Sequence, residues 1–351
     1  MTTRKSQLLA LSGVLALSVA LSACGSGTPS GDTTSGGSDG LSDGDPSTDL
    51  VSAAQVEGTV TWYTTVPPGP AAALAQAFTD AYGIQVTVNR QGSAAIGPLV
   101  SSEIAGDAIV ADVVETGDPT VVQGFADNGW LVEQDVDSLP VLAGWPSQWS
   151  YGDAVYPQAI APYGISYNTD LVASEPESWD VLLDLAYKGK IFTLDPRANT
   201  GGLDIIRVLK NTFGEEWVKK LAAQDLQFNS SLVNTANSLA AGDAAIYFPG
   251  VRWIDSDLVD KGAPIKEAYP SPAVGGSEQW AGQVKGSPHP NAAALFLNFS
   301  LSPAGQLATC EDQCASVTDV PGTIPLPSDY KSPNLKFTDE EKAELIALIG
   351  L

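Results

Sequence analysis

The chain has 351 residues and a formal charge of −24, from 41 acidic against 17 basic side chains. Such an acid excess excludes nucleic-acid binding by phosphate neutralisation, which needs clustered Lys and Arg, and favours solubility without dictating a fold. The hydrophobic share of 44% is ordinary for a globular protein, and the length is enough for two lobes with separate cores.

Arg4 and Lys5 lead into an apolar run from Leu8 to Ala23 that ends in Leu21-Ser22-Ala23-Cys24. A basic head, an apolar middle and small residues before a cut site predict a secretory signal peptide over residues 1–23. The run of 16 residues falls short of the roughly 20 that a spanning helix needs. Leu-Ser-Ala-Cys resembles the lipobox of bacterial lipoproteins. The resemblance implies that Cys24 is acylated, begins the mature chain and tethers it to a membrane outside the cytoplasm. The alternative is an ordinary signal peptide with a chance cysteine. Loss of Arg4 and Lys5 takes the formal charge from −24 to −26. Residues 25–50 are Gly, Ser, Thr and Asp with little to bury, which predicts a flexible spacer within a linker spanning 24–56. Asp39, Asp43, Asp45 and Asp49 lack the central Gly and terminal Glu of a calcium loop.

From Glu57 the texture changes. Gly58–Thr64 reads as a strand, Pro67-Pro68-Gly69 as a turn, and Pro70 to Tyr82 as a helix stopped by Gly83. A strand (84–89), a helix (96–105), a strand (111–116) and a helix through Val121, Val122 and Phe125 follow. The alternation predicts an α/β lobe with a mostly parallel sheet. The stretch 159–168 reads as a strand that leads into a second α/β unit. That unit has strands at 190–194, 226–229 and 244–248, and helices at 203–213, 215–222 and 233–241. Pro270 to Gly276 is a crossing segment, after which a strand (279–284) and a helix (291–301) return to the first lobe. Thr338 and Glu341 form a capping box for a last helix, with Leu345, Ile346 and Ile349 as its apolar stripe. The predicted lobes are 57–160 with 270–351, and 161–269.

With Cys24 set aside for lipid, Cys310 and Cys314 remain as an even pair in an oxidising compartment. Their spacing places the Cα atoms roughly 6 Å apart on a helical turn, inside the disulfide range. No second Cys pair or His cluster exists to complete a zinc site.

In such sheets ligands bind outside the carboxyl ends of the strands, where helix N-termini present unpaired N–H groups. Four turns supply small polar residues there: Thr64-Thr65, Gly92-Ser93-Ala94, Thr116-Gly117 and Asn199-Thr200-Gly201-Gly202. They suit a polar or anionic ligand held without a formal charge. The alternative for each is a helix cap and nothing more.

Several stretches, in order, carry a resemblance. Tyr163-Gly-Ile-Ser-Tyr-Asn-Thr-Asp170, Trp179 to Asp184 with Tyr187-Lys-Gly-Lys-Ile191, and Asp195-Pro-Arg197 are similar to a run in bacterial solute-binding proteins. Val284 to Asn291 and Phe296 to Gln306 are similar to that family's closing signature. The chain thus resembles the extracellular solute-binding components of ABC importers, in the branch that includes ferric-ion binders. The resemblance implies a two-lobed, type II periplasmic-binding-protein-like α/β fold that closes on a ligand at its hinge. It also implies a monomer that needs no cofactor and delivers its small-molecule ligand to a membrane permease with its ATPase. Ferric members hold iron largely through adjacent tyrosines, and the matching stretch here is Ala245-Ile246-Tyr247-Phe248-Pro249. Phe248 has no oxygen for a hard cation, so Tyr247 alone remains if the ligand is ferric. Tyr247 and Phe248 are instead expected to form an aromatic wall, with Tyr163 opposite at the hinge.

Enzyme readings find little support. There is no Gly-x-Ser-x-Gly, P-loop or His-Glu-x-x-His motif. The single histidine, His289, is expected in a surface turn, and Asp255 and Asp257 on an exposed helix face. The remaining alternatives are an exported hydrolase or ligase subunit, and a surface partner-binding protein on the same scaffold.

Overall fold

The computed structural model describes residues 44–351, except Asn199 and the side chains of Ser93 and Ala94. The signal sequence, Cys24 and most of the spacer lie outside the described residues. Strands β1 (Thr59–Thr64), β2 (Gln85–Arg90), β3 (Val113–Thr116), β4 (Tyr156–Pro162) and β10 (Gly276–Gln283) form one sheet in the order β2-β1-β3-β10-β4. Strands β5 (Gly164–Asn168), β6 (Ile191–Leu194), β7 (Gln227–Asn229), β8 (Ile246–Gly250) and β9 (Ile265–Ala268) form the other, ordered β7-β6-β8-β5-β9. In each sheet four strands run in one direction and a single strand, β10 in the first and β5 in the second, runs against both of its neighbours. The sheets are therefore mostly parallel, as expected, and mixed through one reversed strand each. β5 and β10 are each reached across the hinge, not through a βαβ crossover, so the parallel sense is not imposed on them.

The first lobe carries helices α1 (Thr48–Glu57), α2 (Pro68–Tyr82), α3 (Ser93–Ala105), α4 (Pro119–Asp127), α9 (Pro290–Leu301) and α10 (Pro303–Cys310). Its core is anchored by Trp62, Phe78 and Phe296, with ring centroids 5.3 Å and 5.1 Å apart for the Trp62–Phe296 and Phe78–Phe296 pairs. Helices α5 (Thr200–Phe213), α6 (Glu215–Ala222), α7 (Leu232–Ala240), α8 (Arg252–Val259) and α11 (Asp339–Leu348) belong with the second sheet. Ile165, Trp179, Ile191, Leu209, Ile246 and Phe248 are buried there. No helix among the described residues is long and apolar enough to cross a membrane.

Two boundaries differ from expectation. The spacer does not continue to residue 56, because α1 starts at Thr48 with Ser47 as its N-cap. α1 buries Ala54 in the first core beside Leu50 and Val51. The Glu57 carboxylate then accepts N–H groups from Asn291 and Ala292 in the first turn of α9, where the helix dipole favours an anion. Of its apolar residues, Leu50, Val51, Ala53, Ala54 and Val56, only Ala54 is buried, a pattern too weak to stand out from the polar spacer. The C-terminal segment also departs from 270–351 as a purely first-lobe block. Leu345 and Ile349 are buried in the second core, while Arg207 pairs with Glu341 at 3.1 Å and Lys210 with Glu344. A third segment therefore crosses between the lobes.

Candidate functional site

The two sheets meet through Tyr163, the residue between β4 and β5, whose N–H donates to Gly275 O at 2.9 Å on the returning segment. Its ring packs against both cores. Burial, with Asp204 and Glu278 nearby, raises its phenol well above the ordinary tyrosine range.

At the carboxyl ends of β1 and β3, the turns tie to β10. Thr65 Oγ1 donates to Gln279 Oε1 at 2.8 Å and accepts the Gly117 N–H at 2.9 Å. Ser277 Oγ lies 3.4 Å from Gln279 Nε2. A Cβ on Gly117 would stand 2.9 Å from Gln279 Nε2 and 3.1 Å from Ser277 Oγ, so glycine keeps this polar corner open. Thr116 Oγ1 accepts the Asp118 N–H at 3.1 Å. Thr64 turns beneath the corner, donating to Glu115 Oε2 at 2.8 Å and accepting the Val66 N–H at 3.0 Å. Ser93 and Ala94 open α3, at the equivalent position after β2.

The second lobe meets this corner at the start of α5. Asp118 caps α4, accepting Thr120 N–H at 3.0 Å and Thr120 Oγ1 at 2.6 Å. Its other oxygen, Oδ2, lies 3.5 Å from Thr200 Oγ1. Gly201 and Gly202 follow Thr200, and a Cβ on Gly202 would come within 3.1 Å of Pro196 Cα, so glycine lets α5 start hard against the preceding turn. The fold thus brings together Thr65, Thr116 and Thr200, with Tyr163 at the hinge. Asp118, Ser277 and Gln279 join them without having been singled out by sequence. Asp118 follows Thr116-Gly117 and precedes a proline, a helix-cap signal that also marks the edge of the cleft.

Tyr247 and Phe248 are placed differently. Tyr247 is fully buried, and its hydroxyl donates to Asp255 Oδ1 at 2.6 Å. Phe248 points into the second core. The expected aromatic wall is therefore not formed by their rings. Asp255 is not exposed as expected; it is 0% exposed and also accepts Ser166 Oγ at 2.5 Å. Asp257, two residues on along α8, does face solvent. Burial pushes the Asp255 carboxyl up to about 8. The facing Glu267 is raised by burial as well, against the pull of Arg252. Glu267 Oε1 is buried without a donor unless Asp255 carries the proton. Glu115, under Thr64, is likewise pushed up to about 8 by burial.

His289 is an N-terminal staple rather than a free turn. Its Nδ1 lies 2.9 Å from Oδ2 of the buried Asp112, which also accepts the Thr61 N–H at 2.7 Å. Asp112 precedes β3, at the end opposite Thr116, so this pair sits away from the lobe junction. Trp62, Trp253 and Trp280 are packed in the interior. Val251 and Trp253 of the second lobe join the first-lobe core, so the lobes are in contact beside the junction. Cys310 and Cys314 are disulfide-bonded with Cα atoms 4.6 Å apart, closer than on a regular helical turn because α10 ends at Cys310. A ring this small contributes about 2 kcal/mol in the loop-entropy account.

The chain is similar to proteins of known family and fold. Residues 63–307 match the model of the bacterial extracellular solute-binding protein family. An uncharacterized protein from Haemophilus influenzae is 24% identical over 248 residues, covering 66% of this chain and 69% of that protein. Among solved structures, iron-bound HitA from Pseudomonas aeruginosa superposes with a TM-score of 0.62 at 21% identity, over 84% of this chain and 99% of that one. The substrate-binding protein of an ABC transporter from Agrobacterium tumefaciens gives 0.68 at 14% identity, over 83% and 93%. The periplasmic binding protein AfuA from Actinobacillus pleuropneumoniae, with fructose-6-phosphate bound, gives 0.63 at 20% identity, over 83% and 97%. The fold is that of a type II periplasmic binding protein, and the family consists of solute-binding transport proteins rather than enzymes. With two mixed sheets joined at Tyr163 and a match running from β1 into α10, this chain belongs to the bacterial extracellular solute-binding protein family.

Proposed function

We propose that the protein captures a small polar organic solute between its lobes and delivers it to an ABC permease, tethered meanwhile by lipid on Cys24. The observation that carries this reading is the approach of Thr200 from the second lobe to Asp118 of the first, 3.5 Å between side-chain oxygens. Beside it stand Thr65, Ser277 and Gln279. Hydroxyl, amide and carboxylate groups from both lobes converge there, so a ligand that touches both sides favours the closed state and shifts the population toward it. The proposed contacts are Thr65, Thr116, Tyr163, Thr200 and Gly201, with Ser93 and Ala94 from the turn after β2.

The similar structures include an iron-bound protein and a fructose-6-phosphate-bound one. The second kind of ligand suits this chain better. The Tyr247 hydroxyl is engaged by Asp255, and its neighbour Phe248 offers no oxygen. A thermal-shift screen over sugar phosphates, phosphonates, polyamines, sugars and ferric citrate tests the reading. A saturable rise in Tm with one organic class supports it. A response to the ferric complex alone overturns it.

A further inference from the structure

A cavity of about 480 Å³ lies between the lobes away from the Thr65–Thr200 corner. One wall is the outer face of α8 with β9; the other is residues 311–313, held in the Cys310–Cys314 ring. The volume is in the range of small-molecule sites. The second-lobe wall presents Arg252 and Lys266, and the first-lobe wall presents Glu311 and Asp312. None of these four takes part in an ion pair among the described residues. Two cations of the second lobe and two acids of the first thus line one cavity without pairing directly. Val259, 40% exposed, and the largely buried Ile265 add apolar atoms to the lining. Ser256 Oγ donates to Gln313 Oε1 at 3.0 Å, so the two walls are joined there.

We propose that this cavity binds a small zwitterion with an apolar body, of the free amino acid class. Its carboxylate meets Arg252 and Lys266, its ammonium meets Glu311 and Asp312, and its side chain lies on Val259 and Ile265. Asp260 and Glu267 add acid to the second-lobe wall, which disfavours a bare anion. Because each charged end needs a different lobe, occupancy stabilises the closed form whatever the main cleft holds. The site does not depend on the identity of the transported solute.

Calorimetric titration of the full exported chain with leucine, leucinamide and N-acetylleucine tests this. Leucine is expected to bind, with the amide and the N-acetyl form each weaker by up to about fivefold, the upper end for an exposed ion pair. Arg252→Gln and Glu311→Gln, both exposed positions on separate lobes, are each expected to weaken leucine to the same degree. Absence of leucine binding overturns the proposal, as does equal binding of all three compounds. Binding that is lost in Thr200→Val but kept in Arg252→Gln also overturns it, because leucine then occupies the main cleft. That last result would leave the cleft reading intact.

Discussion

Tyr247 donates its phenolic hydrogen to Asp255 at 2.6 Å in the interior of the second lobe, and Ser166 donates to the same carboxyl at 2.5 Å. The three groups come from β8, α8 and β5, so the carboxyl pins α8 to the sheet. Replacing Asp255 with Ala strands two buried hydroxyls and is expected to cost about 3 kcal/mol or more in denaturant unfolding. Tyr247→Phe removes one donor and is expected to cost about 1–2 kcal/mol. Asp255→Asn is expected to cost less than Ala, because its amide oxygen still accepts one of the two hydroxyls. Its amide keeps the shape of a protonated carboxyl and can donate to Glu267 Oε1. A cost for Asn equal to that for Ala would contradict a proton on Asp255.

The same bond bears on iron. A phenolate must lose its proton to bind a ferric ion, and burial beside Asp255 raises the Tyr247 hydroxyl far above its ordinary range. Protein mixed with ferric ion and carbonate is expected to stay colourless. A tyrosinate-to-iron charge-transfer band in the visible spectrum that disappears in Tyr247→Phe would reinstate the metal.

Stability is expected to fall as pH rises from about 4 to about 8. Glu115 and Asp255 are each pushed up to about 8 in the fold, whereas in the unfolded chain they titrate near about 4. Between those values the native state binds more protons than the unfolded state, so the slope of stability against pH is negative. A single such group contributes up to about 1.4 kcal/mol per pH unit across the window, and nothing further above it. Self-repulsion of a chain with formal charge −24 acts in the same direction, but salt screens it. Thermal unfolding at high ionic strength separates the two. The fall should persist there in wild type and become shallower in Glu115→Gln, whose amide still pairs with Thr64 while Asp255 keeps its own contribution. A profile that is flat at high salt would locate the effect at the surface.

Much of this arrangement is legible from residue patterns, and the limits are physical. The turns after β1, β3 and β6 are marked by hydroxyl and glycine residues at strand ends, and these turns do meet at the hinge. What cannot be read is where a polar side chain finds its partner. Thr64 and Thr65 are adjacent and chemically alike, yet Thr64 is buried on Glu115 while Thr65 faces Gln279 across 214 positions of sequence. Asp255 and Asp257 differ in the same way: alternate positions on a helix face opposite environments, and only packing says which is inside. α1 escaped notice because a helix that buries a single alanine, with Leu50 and Val51 beside it, has almost no apolar signature. The placement of α11 on the second lobe rests on Leu345 and Ile349 entering its core and on contacts to α5 across 134 positions of sequence, which periodicity does not encode.

The contact between Thr200 and Asp118 gives the sharpest test of the main cleft. At 3.5 Å it is a long hydrogen bond, so by itself it stabilises the closed lobes only weakly. A ligand oxygen or nitrogen at the same corner would compete for the Thr200 hydroxyl and the Asp118 carboxylate together. Thr200→Val keeps the size of the side chain and removes the hydroxyl. If that hydroxyl becomes a buried ligand contact, affinity is expected to fall by about 1–3 kcal/mol in calorimetry with the ligand found by screening. Asp118→Asn keeps the α4 cap acceptor and removes the charge. It should therefore favour anionic over cationic members of the ligand class, with little change in unfolding temperature. Thr200 carries no ligand contact if its valine variant binds with unchanged affinity, and the cleft would then close on the solute through Thr65, Gln279 and the hinge alone.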